Sequence, residues 1–262
     1  MPLQTIVDPL ADWDNLPLSH DRIGYQNLLT TSSAGGDSGN ALTPNTFLRW
    51  TDPAGTMTTT FRPPAGAMMD YVAIGGHNLG TVFGVTVTVS VNSTFAGPFT
   101  AIGSARPEDD TALFFMFERQ TVREVKVEIE GGTDREVALV YAGIALQMFQ
   151  PIYGGHSPLE LSSATDYQDS KSESGQFLGR TIKRRGTRTT FSYSHLDPQW
   201  YREYFQPFVE AAKNKPFFIR FRPDLYETAG LVHTTGNIRP SNMGGGHDLM
   251  QVSFDVMGHA DK

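Results

Sequence analysis

The residues to weigh first for chemistry are the seven histidines: His20, His77, His156, His195, His233, His247 and His259. None forms an HxH or HExxH pair, and none stands at metal-ligand spacing from a carboxylate, so no zinc-type centre is predicted. The chain has no cysteine, which removes thiolate ligands, cysteine nucleophiles and disulfides together. Gly35-Gly36-Asp37-Ser38-Gly39 places a serine among glycines. A nucleophile elbow needs Gly-x-Ser-x-Gly, however, and here the serine falls one place late, so the run reads as a loop. Gly75-Gly76-His77-Asn78-Leu79-Gly80 lacks the Gly-Lys-Ser/Thr ending of a phosphate loop and reads as a turn leaving a strand. Glu108-Asp109-Asp110 offers three carboxylates, but adjacent carboxylates on a turn are usually solvated. The expectation is a protein with no catalytic, cofactor or metal residues, and not an enzyme.

Charge is divided unevenly. Residues 1–150 carry 8 Lys+Arg against 16 Asp+Glu, a net of −8, and residues 151–262 carry 13 against 12, a net of +1. An acidic chain lacks the basic face that phosphate contacts require, so nucleic acid is not expected as a partner. The local exception is a basic run, Lys183, Arg184, Arg185 and Arg188, preceded by Arg180. It suits an acidic neighbouring surface or a charged edge that blocks unwanted strand pairing. No apolar run approaches the roughly 18 residues of a membrane span. The opening residues lack the basic and apolar regions of a signal peptide, which predicts folding in a cytoplasm.

The elements that carry these residues are mostly strands. The first 60 residues hold many Pro and Gly, which argues against helices there. Strands are predicted at 47–50 and 57–61, and the compact apolar run at 70–75 reads as a buried strand. Residues 85–91 alternate Val with Thr or Ser, as a strand with one face on a core does. A short strand is expected at 113–117. Residues 123–129 alternate again, with Val125, Val127 and Ile129 inward and Glu124, Lys126 and Glu128 outward. Residues 136–146 form a long apolar strand in which Gly143 marks a bend or a close backbone approach. Many short strands with frequent turns predict a β-sandwich over residues 1–150.

Residues 151–262 differ. Their polar, Ser-rich stretch at 162–186 predicts a long connection or extended hairpin arm, bounded within 162–188. A strand follows at 188–194 with Thr189, Phe191 and Tyr193 on one face. Asp197-Pro198 then reads as a helix cap followed by proline at the first helical position. Trp200, Tyr204, Phe208 and Ala212 mark an apolar stripe, interrupted at Pro207, where a kink or two short helices are expected. Strands are predicted at 216–222 and 250–256. The fold class expected is therefore mainly β: a jelly-roll-like sandwich followed by an α+β unit in which one helix packs on a sheet.

Several runs carry a resemblance. Residues 22–29 (RIGYQNLL), 40–46 (NALTPNT), Arg49-Trp50 and residues 70–80 (DYVAIGGHNLG) resemble discoidin or galactose-binding-like sandwiches. Residues 153–158 (YGGHSP), 174–180 (SGQFLGR) and 215–223 (KPFFIRFRP) resemble the second unit of tailed-bacteriophage minor tail proteins. The resemblance implies a distal tail or baseplate structural protein of a long-tailed phage. Such a protein would form a ring, a hexamer, between the tail tube and the tail-tip or hub proteins, assembled in the host bacterial cytoplasm and carried in the virion. Many distal tail proteins place the ring-forming unit first, whereas here the sandwich comes first. The alternative is a carbohydrate-binding module that attaches to a host glycan. The residues expected at a subunit interface are Arg180, Lys183, Arg184, Arg185 and Arg188.

Overall fold

The computed structural model describes residues 20–32, 37–52, 57–152, 157–225, 229–244 and 248–258. In chain order its strands are β1 (Arg22–Gly24), β2 (Thr31–Ser32), β3 (Trp50–Asp52), β4 (Met57–Arg62), β5 (Met68–His77) and β6 (Thr86–Asn92). Next come β7 (Thr100–Ala105), β8 (Leu113–Thr121), β9 (Glu124–Glu130), β10 (Arg135–Gly143), β11 (Leu146–Gln147) and β12 (Asp166–Lys171). The last six are β13 (Phe177–Arg184), β14 (Arg188–Leu196), β15 (Phe217–Arg220), β16 (Ala229–Thr234), β17 (Arg239–Asn242) and β18 (Met250–Gly258).

Two sheets form the expected sandwich. One runs β2-β4-β9-β6-β7 and the other β3-β10-β5-β8, with all pairs antiparallel. Val87, Val89 and Val91 of β6, Val125, Val127 and Ile129 of β9, and Val72, Ile74, Val140 and Ala142 of the facing sheet close one apolar core. The β6 alternation thus sets its register, because a one-residue slip would turn its three valines to solvent.

The four-stranded sheet is covered on both faces. Tyr71 and Ala73 of β5, and Leu139 and Tyr141 of β10, point away from the first core and pack with Phe218, Ala229 and Leu231 of a third sheet. This explains why residues 70–75 read as a continuous apolar run rather than an alternating one. The third sheet has seven strands, in the order β11-β1-β15-β16-β18-β14 with β17 on β18. It takes strands from both sides of residue 150, since β1 and β11 enter it from the N-terminal part of the chain. Asp21 helps anchor that entry. Its buried carboxylate accepts the Tyr193 hydroxyl at 2.7 Å and the Arg222 N–H at 3.1 Å.

The outer face of the seven-stranded sheet carries the helical segment. Asp197 Oδ1 accepts the N–H groups of Gln199 (2.8 Å) and Trp200 (2.9 Å), with Pro198 at the first helical position. Residues Tyr201–Phe205 then widen into a π-helical turn ahead of the α-helix Gln206–Ala212. Pro207 has no N–H to donate, and the π turn immediately before it is where the helix absorbs that missing bond. Phe208 packs edge-on against Phe217 at 4.9 Å, and Phe205, Trp200 and Ala212 join the same core with Phe191, Phe254 and Val256. The molecule is therefore mainly β: a sandwich, a third sheet backed onto it, and one helical layer outside.

Four details depart from the sequence reading. Phe47 and Leu48 are exposed, and only Trp50 onward forms the strand, because Phe47 lies in a loop turned by Asn45, whose Oδ1 accepts the Phe47 N–H. Glu124 is buried although it shares the outward face of β9 with Lys126, because Asn92 Nδ2 (2.7 Å) and Arg62 Nε (3.1 Å) donate to its carboxylate and cover it. Residues Asp37–Leu42 form a short 3-10 helix that buries Ser38, while Gly35 and Gly36 lie outside the described residues. Strands β7, β16 and β17 were not anticipated: Pro240 interrupts β17, and Gly103 and Gly230 interrupt the other two.

Candidate functional site

Among the described residues, the histidines and carboxylates do not gather into a metal-binding group. His77 is buried, its Nδ1 accepts the Leu79 N–H at 3.3 Å, and burial pulls its pKa down to about 4. His20 Nδ1 contacts the Met148 carbonyl at 2.9 Å, while His195 and His233 are exposed. His156, His247 and His259 lie outside the described residues. Asp110 Oδ1 accepts the N–H groups of Gly80 (2.9 Å) and Thr81 (3.1 Å), and Asp109 Oδ1 accepts that of Thr111 (3.0 Å). Asp110 thereby ties one loop to another, while Asp109 turns its own. No helix among the described residues is long and apolar enough to cross a membrane.

Two features stand out instead. The first is the arm. Among the described residues, β12 and β13 pair only with each other, as a two-stranded ribbon. Its tip is turned by Gly175 at φ +82°, with the Gly175 N–H bonded to the Ser172 carbonyl and the Gln176 N–H to Ser172 Oγ. Its root is pinned where Ala164 N–H meets the Gly186 carbonyl at 2.7 Å and Ser163 bridges Thr187. An eight-residue strand such as β13 extends roughly 25 Å.

The register gives the ribbon one distinctive face. Tyr167 lies opposite Ile182, Asp169 opposite Arg180, and Lys171 opposite Phe177. The Arg180 guanidinium lies over the Tyr167 ring at 4.5 Å and near the Phe177 ring at 6.0 Å, and it bonds Asp169 through Nε (2.6 Å) and Nη2 (3.0 Å). Arg180 holds the Asp169 carboxyl below its ordinary pKa through these bonds. Tyr167, Phe177 and Leu178 remain 52%, 62% and 66% exposed. A soluble surface does not ordinarily cluster such side chains without a partner.

The five predicted interface cations are distributed along the arm's second strand and its root. Arg180 sits within the arm face, neutralised by Asp169. Lys183 and the backbone of Arg184 belong to β13, Arg185 is exposed in the link that follows, and Arg188 opens β14, where Nη2 stands 3.4 Å from Asp255. The sequence reading missed the apolar members of the arm. Their signal was the two-residue spacing Tyr167-x-Asp169 facing Arg180-x-Ile182, diluted by the surrounding Ser, Thr and Gly.

The second feature is a cavity of about 290 Å³ at the junction of the middle and seven-stranded sheets. Its walls include Ala112, Leu159, Phe191, Ile219, Leu231 and Val232, with Asp109 and Asp110 adding carboxylates. Arm-root residue Thr187 also lines it.

Loop aromatics occupy the sandwich ends. Phe47 is 87% and Phe83 96% exposed. Phe47 lies in the loop before β3 and Phe83 in the loop after β5, and both of those strands pair with β10 at Val137. Polar groups there are engaged within the loops: Arg49 Nη1 donates to the Gly76 carbonyl at 2.6 Å, and Asn78 Nδ2 to that of Asp134 at 2.9 Å.

No protein-family model matches the chain, and no curated protein matches it. Among solved structures, the chain is similar to chitosan-binding module 1 of a chitosanase/glucanase from Paenibacillus sp. IK-5. That match has 12% identity and a TM-score of 0.37, covering 45% of this chain and 97% of that one. It is also similar to the CBM32 of AlyQ in complex with 4,5-unsaturated mannuronic acid, at 17% identity and TM-score 0.34, covering 48% and 98%. A third is a GH29 fucosidase from Ruminococcus gnavus in complex with fucose, at 14% identity and TM-score 0.34. That match covers 41% of this chain and spans only 22% of the fucosidase.

Proposed function

We propose that this chain is a non-catalytic structural subunit that works by binding further copies of itself, its place being the tail tip or baseplate of a long-tailed phage. The observation that carries the self-binding is the arm: a ribbon standing off the body with Tyr167, Phe177, Leu178 and Ile182 all exposed on it. Burying such side chains in a partner returns about 1.5–3 kcal/mol each, before the cost of association. The virion setting rests on the tail-protein resemblance of residues 153–158, 174–180 and 215–223. In that setting the copies form a ring, a hexamer, touching tail-tube and hub proteins. Sedimentation of the full chain over a range of concentrations tests the self-binding. Electron microscopy of phage particles labelled through this protein tests the location.

A second reading, a carbohydrate-binding module for a host glycan, has its own observation in Phe47 and Phe83, two nearly bare rings carried on loops of the sandwich. Flat aromatic faces in loops are suited to stacking on sugar rings. Glycan-array binding that disappears on Phe83→Ala, with unchanged melting, would favour it. An array without hits would remove it.

A further inference from the structure

We propose that the arm tip of one copy inserts Phe177 and Leu178 into the junction cavity of the next. This rests on the self-binding reading above and names the surface that receives the arm. Three observations converge. The cavity is mainly apolar, with carboxylates in its wall, and of the right size: a cavity of about 150 Å³ accepts a benzene ring, and this one measures about 290 Å³, room for one aromatic and one branched aliphatic side chain. The tip presents that pair, at 62% and 66% exposure, immediately after the turn. The β-bulge between Ser170 and Lys171 leaves Leu178 without an opposite residue, which lets neighbouring side chains be offered together.

Geometry makes the contact intermolecular. Thr187, at the arm's root, lines the cavity, and so does Leu159, close before the root. The tip lies roughly a strand length, about 25 Å, further out along a self-paired ribbon. An arm cannot reach the cavity at its own root without breaking its ladder, whereas a second copy's arm can. Charge agrees with this. Residues 162–188 carry six Lys+Arg against three Asp+Glu, a net of +3, whereas residues 1–150, which contribute Asp109 and Asp110 to the cavity, carry −8. Tip and cavity are different surfaces of one molecule, so the contact is head-to-tail. It closes into a ring or grows as a filament according to the rotation per step.

The cysteine-free sequence gives a clean test. Phe177→Cys and Leu159→Cys proteins are prepared separately, mixed, oxidised and resolved without reducing agent, with Thr88→Cys on the far sheet as the collision control. The expected result is a covalent dimer in the Phe177→Cys and Leu159→Cys mixture at least tenfold above the Thr88→Cys mixture. In parallel, Phe177→Ser should raise the self-dissociation constant about tenfold to hundredfold, with unchanged melting because the side chain is exposed. Assembly of the unsubstituted chain with neither the cross-link nor the Phe177→Ser effect would overturn the cavity assignment and leave self-binding intact. An unsubstituted chain that stays monomeric would overturn both. Full assembly by Phe177→Ser, with a small apolar solute binding the cavity and leaving assembly unchanged, would show that the cavity takes a ligand and not the arm.

Discussion

Arg180 lies over Tyr167 at 4.5 Å while its Nε donates to Asp169 at 2.6 Å, so one side chain joins the two strands of the arm across its exposed face. The face is thereby ordered before any partner arrives, which lowers the entropy that association must otherwise spend on long side chains.

Arg180→Ala should therefore weaken self-association several-fold while changing the global melting little, since exposed substitutions usually fall within about 0.5 kcal/mol. Sedimentation and thermal unfolding of the same sample check both halves. A large loss of melting temperature with unaltered association would contradict this role for Arg180.

The contact between the middle and seven-stranded sheets is set by small residues. A Cβ on Gly75 would come 2.6 Å from the Phe218 ring and 3.1 Å from Leu231. Gly75→Val should cost about 1–3 kcal/mol through overpacking, read as a lower denaturant midpoint. Thr88→Val, on the opposite outer sheet, should be close to neutral.

Asp197 supplies two of the hydrogen bonds at the start of the helical segment. Asp197→Ala should destabilise by about 1 kcal/mol and Asp197→Ser by less. Chemical denaturation followed by the fluorescence of nearby buried Trp200 measures the difference.

His77 gives a pH dependence with a definite sign. Burial holds its folded pKa at about 4, below the ordinary 6.5, so the folded state needs the neutral ring. Its contribution is complete above pH 6.5 and is lost as pH falls from there towards 4. The difference between about 4 and 6.5 corresponds to roughly 3 kcal/mol. His77→Gln should show a flatter melting profile between pH 7 and pH 4 than the unsubstituted chain. Parallel profiles would show that His77 is not the acid-sensitive group.

Much of the fold was legible because periodicity survives in single strands. The β6 and β9 alternations, the Asp197-Pro198 cap and the break at Pro207 all report forces that act within a few residues. The third sheet was less legible. β1 is three residues long, and its partners, β11 and β15, lie more than a hundred residues away in sequence, so no local pattern announces the pairing. Glu124 misled for a related reason. The alternation of β9 puts it outward, but Asn92 and Arg62, brought in from other strands, turn it into a satisfied buried carboxylate. The arm was visible as a polar hairpin. Its apolar face was hidden because the four side chains that compose it come from two strands and meet only once the ribbon is paired. The cations that caught attention, Lys183 to Arg188, mark the arm's root more than its tip.

The most direct test of the central claim, that this chain acts by presenting its arm to another copy, is sedimentation velocity of the full chain beside a variant in which residues 166–184 are replaced by a short Gly-Ser turn. The account predicts that the full chain sediments as a multiple of the protomer, increasingly so with concentration, while the shortened chain remains a folded monomer with the same melting transition. A full chain that stays single at its highest soluble concentration, or a shortened chain that assembles as before, would contradict it.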